Sequence, residues 1–144
     1  MGCDIHGHIE IKFKGKWYHW GQLNIRRDYA LFAKMAGVRN WWDSGVDPIA
    51  KPKGFPKNST DSTKLDRKYW GSDGHSDSWL SAKEMAVLSE WRVALAKERN
   101  PKEIYYFEDE FCYVFGNSWD GFSKYPDDRP EGLQDARCIF WFDN

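Results

Sequence analysis

With 144 residues, the chain is long enough to bury about two-thirds of its unfolded surface as one domain, residues 1–144, without disulfide or metal staples. Its 21 basic and 22 acidic residues nearly cancel, which excludes general attraction to nucleic acid or to an anionic membrane and leaves open only a local basic patch. Nine Trp and an aromatic share of 17% mean that large rings supply much of the burial.

The first element is MGCDIHGHIEIKF. Residues 3–13 alternate so that Cys3, Ile5, Ile9 and Ile11 share one face of a strand while Asp4, His6, His8 and Glu10 share the other. Lys14-Gly15-Lys16 reads as a tight turn, and the chain from Lys16 to Trp20 as the returning strand of a hairpin. Asp28 caps a helix from Tyr29 to Ala36, with Leu31, Phe32 and Met35 on one side and Gly37 as its stop. Residues 37–60 carry too much Gly and Pro for regular structure and read as a long ordered loop anchored by Trp41, Trp42, Ile49 and Phe55. A short helix around Asp61 to Tyr69 follows.

Gly71 to Trp79 reads as a loop feeding a helix from Ala82 to Arg99. That helix has a capping box at Ser81 and Glu84, an apolar stripe of Met85, Leu88, Trp91 and Leu95, and a stop at Asn100-Pro101. Residues 103–115 fit a helix by apolar spacing and a strand by aromatic content, and the spacing favours the helix. Residues 116–134 read as loop. Ala136 to Phe142 close the chain as a strand covered on both faces, in the middle of a small sheet beside the hairpin. The expected architecture is α+β: a small, mostly antiparallel sheet from the N-terminal hairpin and the C-terminal strand, packed with two to four helices on one sheet face and long ordered loops.

No apolar run approaches the roughly 20 residues of a membrane span, and the N-terminus lacks the regions of a signal peptide. Cys3, Cys112 and Cys138 offer no CxxC pair, so a reduced cytoplasmic setting is expected. His6 stands where a myristoylation pattern starting at Gly2 requires Ser or Thr.

Four stretches carry a resemblance: MGCDIH, the Asp28-to-Ala33 run with Val38-Arg39-Asn40, WGSDGHSDSWLS, and DARCIFWFDN. Together they resemble a group of small bacteriophage-encoded proteins across nearly the whole chain. The resemblance implies phage origin and the host cytoplasm, and little chemistry.

The chemistry therefore has to be read from residues. Asp4, His6, His8 and Glu10 lie about 6.6 Å apart in successive pairs, so two imidazoles can share a divalent metal, Zn or Mn; alternation of this kind is also what any strand shows when one face meets water. Metal-free acid–base use is the third reading, because His titrates near neutrality. In the second segment Asp73 and Asp77 flank His75, and Ser76 and Ser78 offer hydroxyls beside a helix N-terminus, which makes either a phosphate cradle or a Ser- and Asp-rich turn. Should the two segments meet, Asp4, His6, His8 and His75 form a metal set, with His6, His75 and Asp73 as catalytic groups.

Arg27 and Arg39 are candidate phosphate ligands, as is Arg26, and each also suits an ordinary surface ion pair. Trp79 is a candidate stacking surface or a simple anchor, Cys3 buried filler, and Asp143-Asn144 a frayed end. Two functions stand against each other: a phosphoester hydrolase acting on a nucleotide or nucleic acid, and a non-catalytic protein that sequesters a nucleotide signal or engages a host protein. A virion role and a Trp-rich homo-oligomer face also remain open.

Overall fold

The structure, a computed structural model, describes residues 2–41, 45–102 and 130–144. The expected helix at 103–115, the expected loop at 116–129, Trp42 and Cys112 lie outside the described residues.

β1 (Ile5–Phe13) and β2 (Lys16–Gln22) form the expected hairpin. Lys14 and Gly15 both take positive φ, 47° and 82°, the handedness that matches strand twist in a two-residue turn. Phe13 pairs with Lys16, Ile11 with Tyr18 and Glu10 with His19, before a bulge shifts the register so that Ile9 meets Gly21. α1 (Tyr29–Ala36) starts where the Asp28 carboxylate accepts from the Leu31 N–H at 3.1 Å and ends at Gly37, φ 72°. α2 (Asp61–Trp70) runs into a 3-10 turn at Gly71–Asp73. α3 (Ala82–Arg99) carries the full capping box, Ser81 and Glu84 each bonding the other's N–H at 3.1 Å.

β3 (His75–Ser81) corrects the expectation of a loop at Gly71–Trp79. Ser and Asp gave that stretch a turn composition, but pairing with β4 (Leu133–Phe142) decides its state, a case of tertiary context overriding local preference. A bulge between His75 and Ser78 carries Ser76 at φ 56°. The closing strand also begins at Leu133, earlier than the expected Ala136. The four strands make one antiparallel sheet in the order β2-β1-β4-β3, so the fold is α+β with the C-terminal strand inside the sheet.

Helices cover both sheet faces, where one face was expected. α1 and α3 bring Leu31, Phe32, Met35, Met85 and Leu88 onto the side of Cys3, Ile5, Ile9, Cys138, Phe140 and Phe142, and this is the apolar core. α2 lies on the opposite side, against His6, His8 and Glu10. Among the described residues, no helix is long and apolar enough to cross a membrane.

Candidate functional site

The hydrophilic row of β1 is matched, residue for residue, by one stripe of α2. Thr63 Oγ1 donates to Glu10 Oε2 at 2.8 Å, Asp66 Oδ2 meets His8 Nε2 at 2.6 Å, and the Trp70 ring stacks on His6 with centroids 3.8 Å apart. Positions 10, 8 and 6 are successive same-face residues of a strand, and 63, 66 and 70 are successive same-face residues of a helix, so the two elements can run side by side in register.

Glu10 is fully buried and fully bonded. Its Oε1 accepts from Arg137 Nε and Nη2 at 3.0 and 2.7 Å, and its Oε2 accepts from the Thr60 N–H, Thr60 Oγ1 and Thr63 Oγ1. Burial by itself would raise its pKa; the bonds from Thr60, Thr63 and Arg137 outweigh that and hold it below the ordinary carboxylate value. Arg137 also donates to Asn58 Oδ1 at 2.9 Å and lies 3.8 Å over the Trp17 ring. Both Glu10 oxygens are thus taken by protein donors, and the bonds from Thr60 and Thr63 seat α2 on β1.

Beside it lies a chain of three titratable groups. His8, 6% exposed, bonds Asp66 through Nε2 and His19 Nε2 through Nδ1, the latter at 2.9 Å. With Asp66 ionised, His8 Nε2–H donates to the carboxylate, so His8 Nδ1 accepts from His19 Nε2–H and His19 Nδ1 carries a lone pair. His19 is exposed, and its Nδ1 has no hydrogen-bond partner among the described residues. Burial of part of its ring, followed by the neighbouring His8, pushes its pKa below the ordinary value of 6.5, with Glu10 opposing. That shift favours the neutral, basic form of His19. A proton taken at its Nδ1 can pass charge inward to His8, against Asp66.

The other sequence candidates are placed apart. His6 Nε2 meets Asp143 Oδ2 at 2.7 Å, while Asp143 Oδ1 accepts from the Asp4 N–H at 3.1 Å. Asp4 is held by Arg27 through two bonds of 2.9 Å, and the guanidinium lowers its pKa. His75 bonds Ser76 Oγ at 2.9 Å and also Asn144 Oδ1. It pairs with Phe142, whereas His6 pairs with Trp141, and those neighbours point to opposite sheet faces. Asp77 does not flank His75: Arg67 holds it at 2.6 and 3.2 Å. Asp73 is exposed on the 3-10 turn.

Ser78 is buried, and its Oγ accepts from the Lys53 N–H at 3.0 Å. Trp79 carries Lys53 Nζ 4.0 Å above its ring. Arg39 sits over the Tyr29 and Trp41 rings and bonds Cys3, whose thiol pKa burial nonetheless raises. Asp4, His6, His8 and His75 therefore do not converge, and among the described residues no three His, Cys, Asp or Glu side chains form a group that could hold a metal ion.

Sequence reasoning passed over His19 and Asp66. The signal for His19 was present in the two-residue turn, which sets Glu10 opposite His19 and His8 diagonal to it. The signal for Asp66 was the Thr63, Asp66, Trp70 stripe, which acquires meaning only once α2 is known to lie on β1. Compared with protein-family models, curated proteins and solved structures, the chain matches none.

Proposed function

We propose that the protein is a metal-independent acid–base catalyst acting on a phosphoester, with His19 as the base that meets the substrate and His8 and Asp66 as the groups that orient and charge-stabilise it. The observation that carries this reading is the Asp66–His8–His19 chain, running from a half-buried carboxylate to an exposed neutral imidazole. Phosphoester hydrolysis needs a base to take the proton of the attacking water and a cation to meet charge on the phosphoryl oxygens. As the water oxygen bonds to phosphorus and the leaving oxygen departs, His19 takes the water's proton; the relay goes from a net −1 to neutral, with the imidazolium stabilised through His8 by Asp66, and that proton can return to the leaving oxygen. The resemblance to phage-encoded proteins supports the cytoplasm of an infected host as the place of action.

The test is turnover of bis(p-nitrophenyl) phosphate and p-nitrophenyl phosphate by wild-type protein and the His19→Asn and Asp66→Asn variants, in the presence of a chelator. His19→Asn should lose about 10²- to 10⁴-fold in rate, the span of general base catalysis. The wild-type rate should rise with pH to a plateau, with its midpoint below 6.5, the ordinary His value. Equal rates for wild type and His19→Asn on both substrates overturn the reading.

A further inference from the structure

The near-neutral charge of the whole chain conceals a local imbalance. Residues 51–70 hold six basic side chains, Lys51, Lys53, Lys57, Lys64, Arg67 and Lys68, against two acidic ones, Asp61 and Asp66. Internal partners absorb part of this: Lys53 Nζ meets Glu84 at 2.6 Å, Arg67 holds Asp77, and Asp66 is taken by His8. Lys51, Lys57, Lys64 and Lys68 are exposed and form no ion pair among the described residues. The same segment carries the two most exposed large apolar side chains among the described residues, Tyr69 at 83% and Leu65 at 72%.

Helical spacing organises these groups. Lys64 and Lys68 are four residues apart on α2, as are Leu65 and Tyr69, so two parallel rows run along the outer face of the helix, one cationic and one apolar. Each row has a step of about 6 Å along the axis, close to the step between phosphates of an extended single strand. The Tyr69 and Trp70 rings lie edge to face with centroids 6.0 Å apart, so the exposed Tyr69 ring has one aromatic neighbour beside it.

We infer that the outer face of α2, with Lys64, Lys68 and Tyr69 at its centre and Lys57 at its N-terminal approach, binds single-stranded nucleic acid. This rests on the phosphoester reading above and names its substrate class. Lysines meet phosphates without regard to sequence, and an exposed ring accepts any unpaired base by its face. A duplex keeps its bases stacked inside and offers Tyr69 nothing. An acidic peptide satisfies the lysines but leaves the ring unused.

The experiment is fluorescence anisotropy of labelled 20-nucleotide oligo-dT and oligo-U with the full chain, titrated at several salt concentrations, with a duplex and polyglutamate as competitors. Wild type should bind both single strands, with log K falling against log salt by about 0.7 for each phosphate neutralised. Lys64→Glu/Lys68→Glu should weaken binding at least 10-fold and flatten that slope by about 1.4. Tyr69→Ala should weaken it at low and high salt alike, and Tyr69→Phe should retain it. Single strands should compete better than the duplex or polyglutamate.

Oligonucleotide binding decides this inference and chromogenic turnover decides the phosphoester reading, so that binding and chemistry are read apart. Lack of single-strand binding by wild type, unchanged binding in the double Lys and Tyr69→Ala variants, or equal competition by polyglutamate or duplex overturns the inference, whatever the chromogenic assay shows. These positions lie on the surface, and unchanged thermal unfolding of each variant assigns any loss to the contact.

Discussion

Glu10 keeps its charge without contact with water because Arg137, Thr60 and Thr63 together occupy both of its oxygens. Breaking a buried pair from one side leaves the other charge stranded, so Glu10→Gln should destabilise the fold by about 3–5 kcal/mol in urea unfolding at pH 7. Asp4 and Arg27 make equally short bonds but are about half exposed, and removing that pair should cost little. The sign of the pH effect follows from direction. The folded-state pKa of Glu10 lies below its ordinary value of 4.5, so its stabilisation is complete above that pH and is lost as pH falls through the folded-state value. Wild-type stability should fall below about pH 4.5, and Glu10→Gln, already weaker at neutrality, should show a smaller further fall. A wild-type profile flat to pH 3 contradicts this account of Glu10.

The elements were legible where their causes are local. The hairpin, α1 and α3 begin and end at residues whose side chains or φ angles close them, Lys14-Gly15, Asp28 and Gly37, and Ser81 with Glu84, and the structure keeps these boundaries. β3 was hidden because nothing in HSDSWLS names its partner; only pairing with β4 makes it a strand. The relay was half visible for the same reason. His8 showed in the alternation of β1, while His19 and Asp66 arrive from a neighbouring strand and from a helix on the far side of the chain's long loop. The closeness of β1 and β4 has its own signature at Gly7, where an added Cβ would lie 2.5 Å from the Ile139 carbonyl oxygen and 3.0 Å from Phe140 Cβ. Gly7→Ala should force the strands apart and cost about 1–3 kcal/mol or more in urea unfolding, whereas Gly21→Ala, with open space around it, should not clash.

Across the whole molecule the sheet separates two kinds of chemistry. One face is an apolar core under α1 and α3, and the other holds charges that bond one another under α2. The β3 edge of the sheet is covered by the chain itself. The Lys53 N–H reaches Ser78 Oγ and the Gly54 N–H reaches the Asp77 carbonyl, so residues 53 and 54 cover the outer edge of β3. That cover also ties residues 53 and 54 of the basic segment to the sheet.

Among the described residues the order β2-β1-β4-β3 gives one of the two central places to β4, the strand that a ribosome makes after the other three. The hairpin and β3 must wait through most of translation with their inner edges unsatisfied, and closing the sheet then joins residues as far apart in sequence as Ile5 and Phe142. A chain halted after residue 132 should therefore sediment as aggregate or stay bound to a chaperone, and a β4 peptide supplied in trans should rescue it. Soluble, cooperatively melting protein from that truncation would show that the first three strands can hold one another without β4.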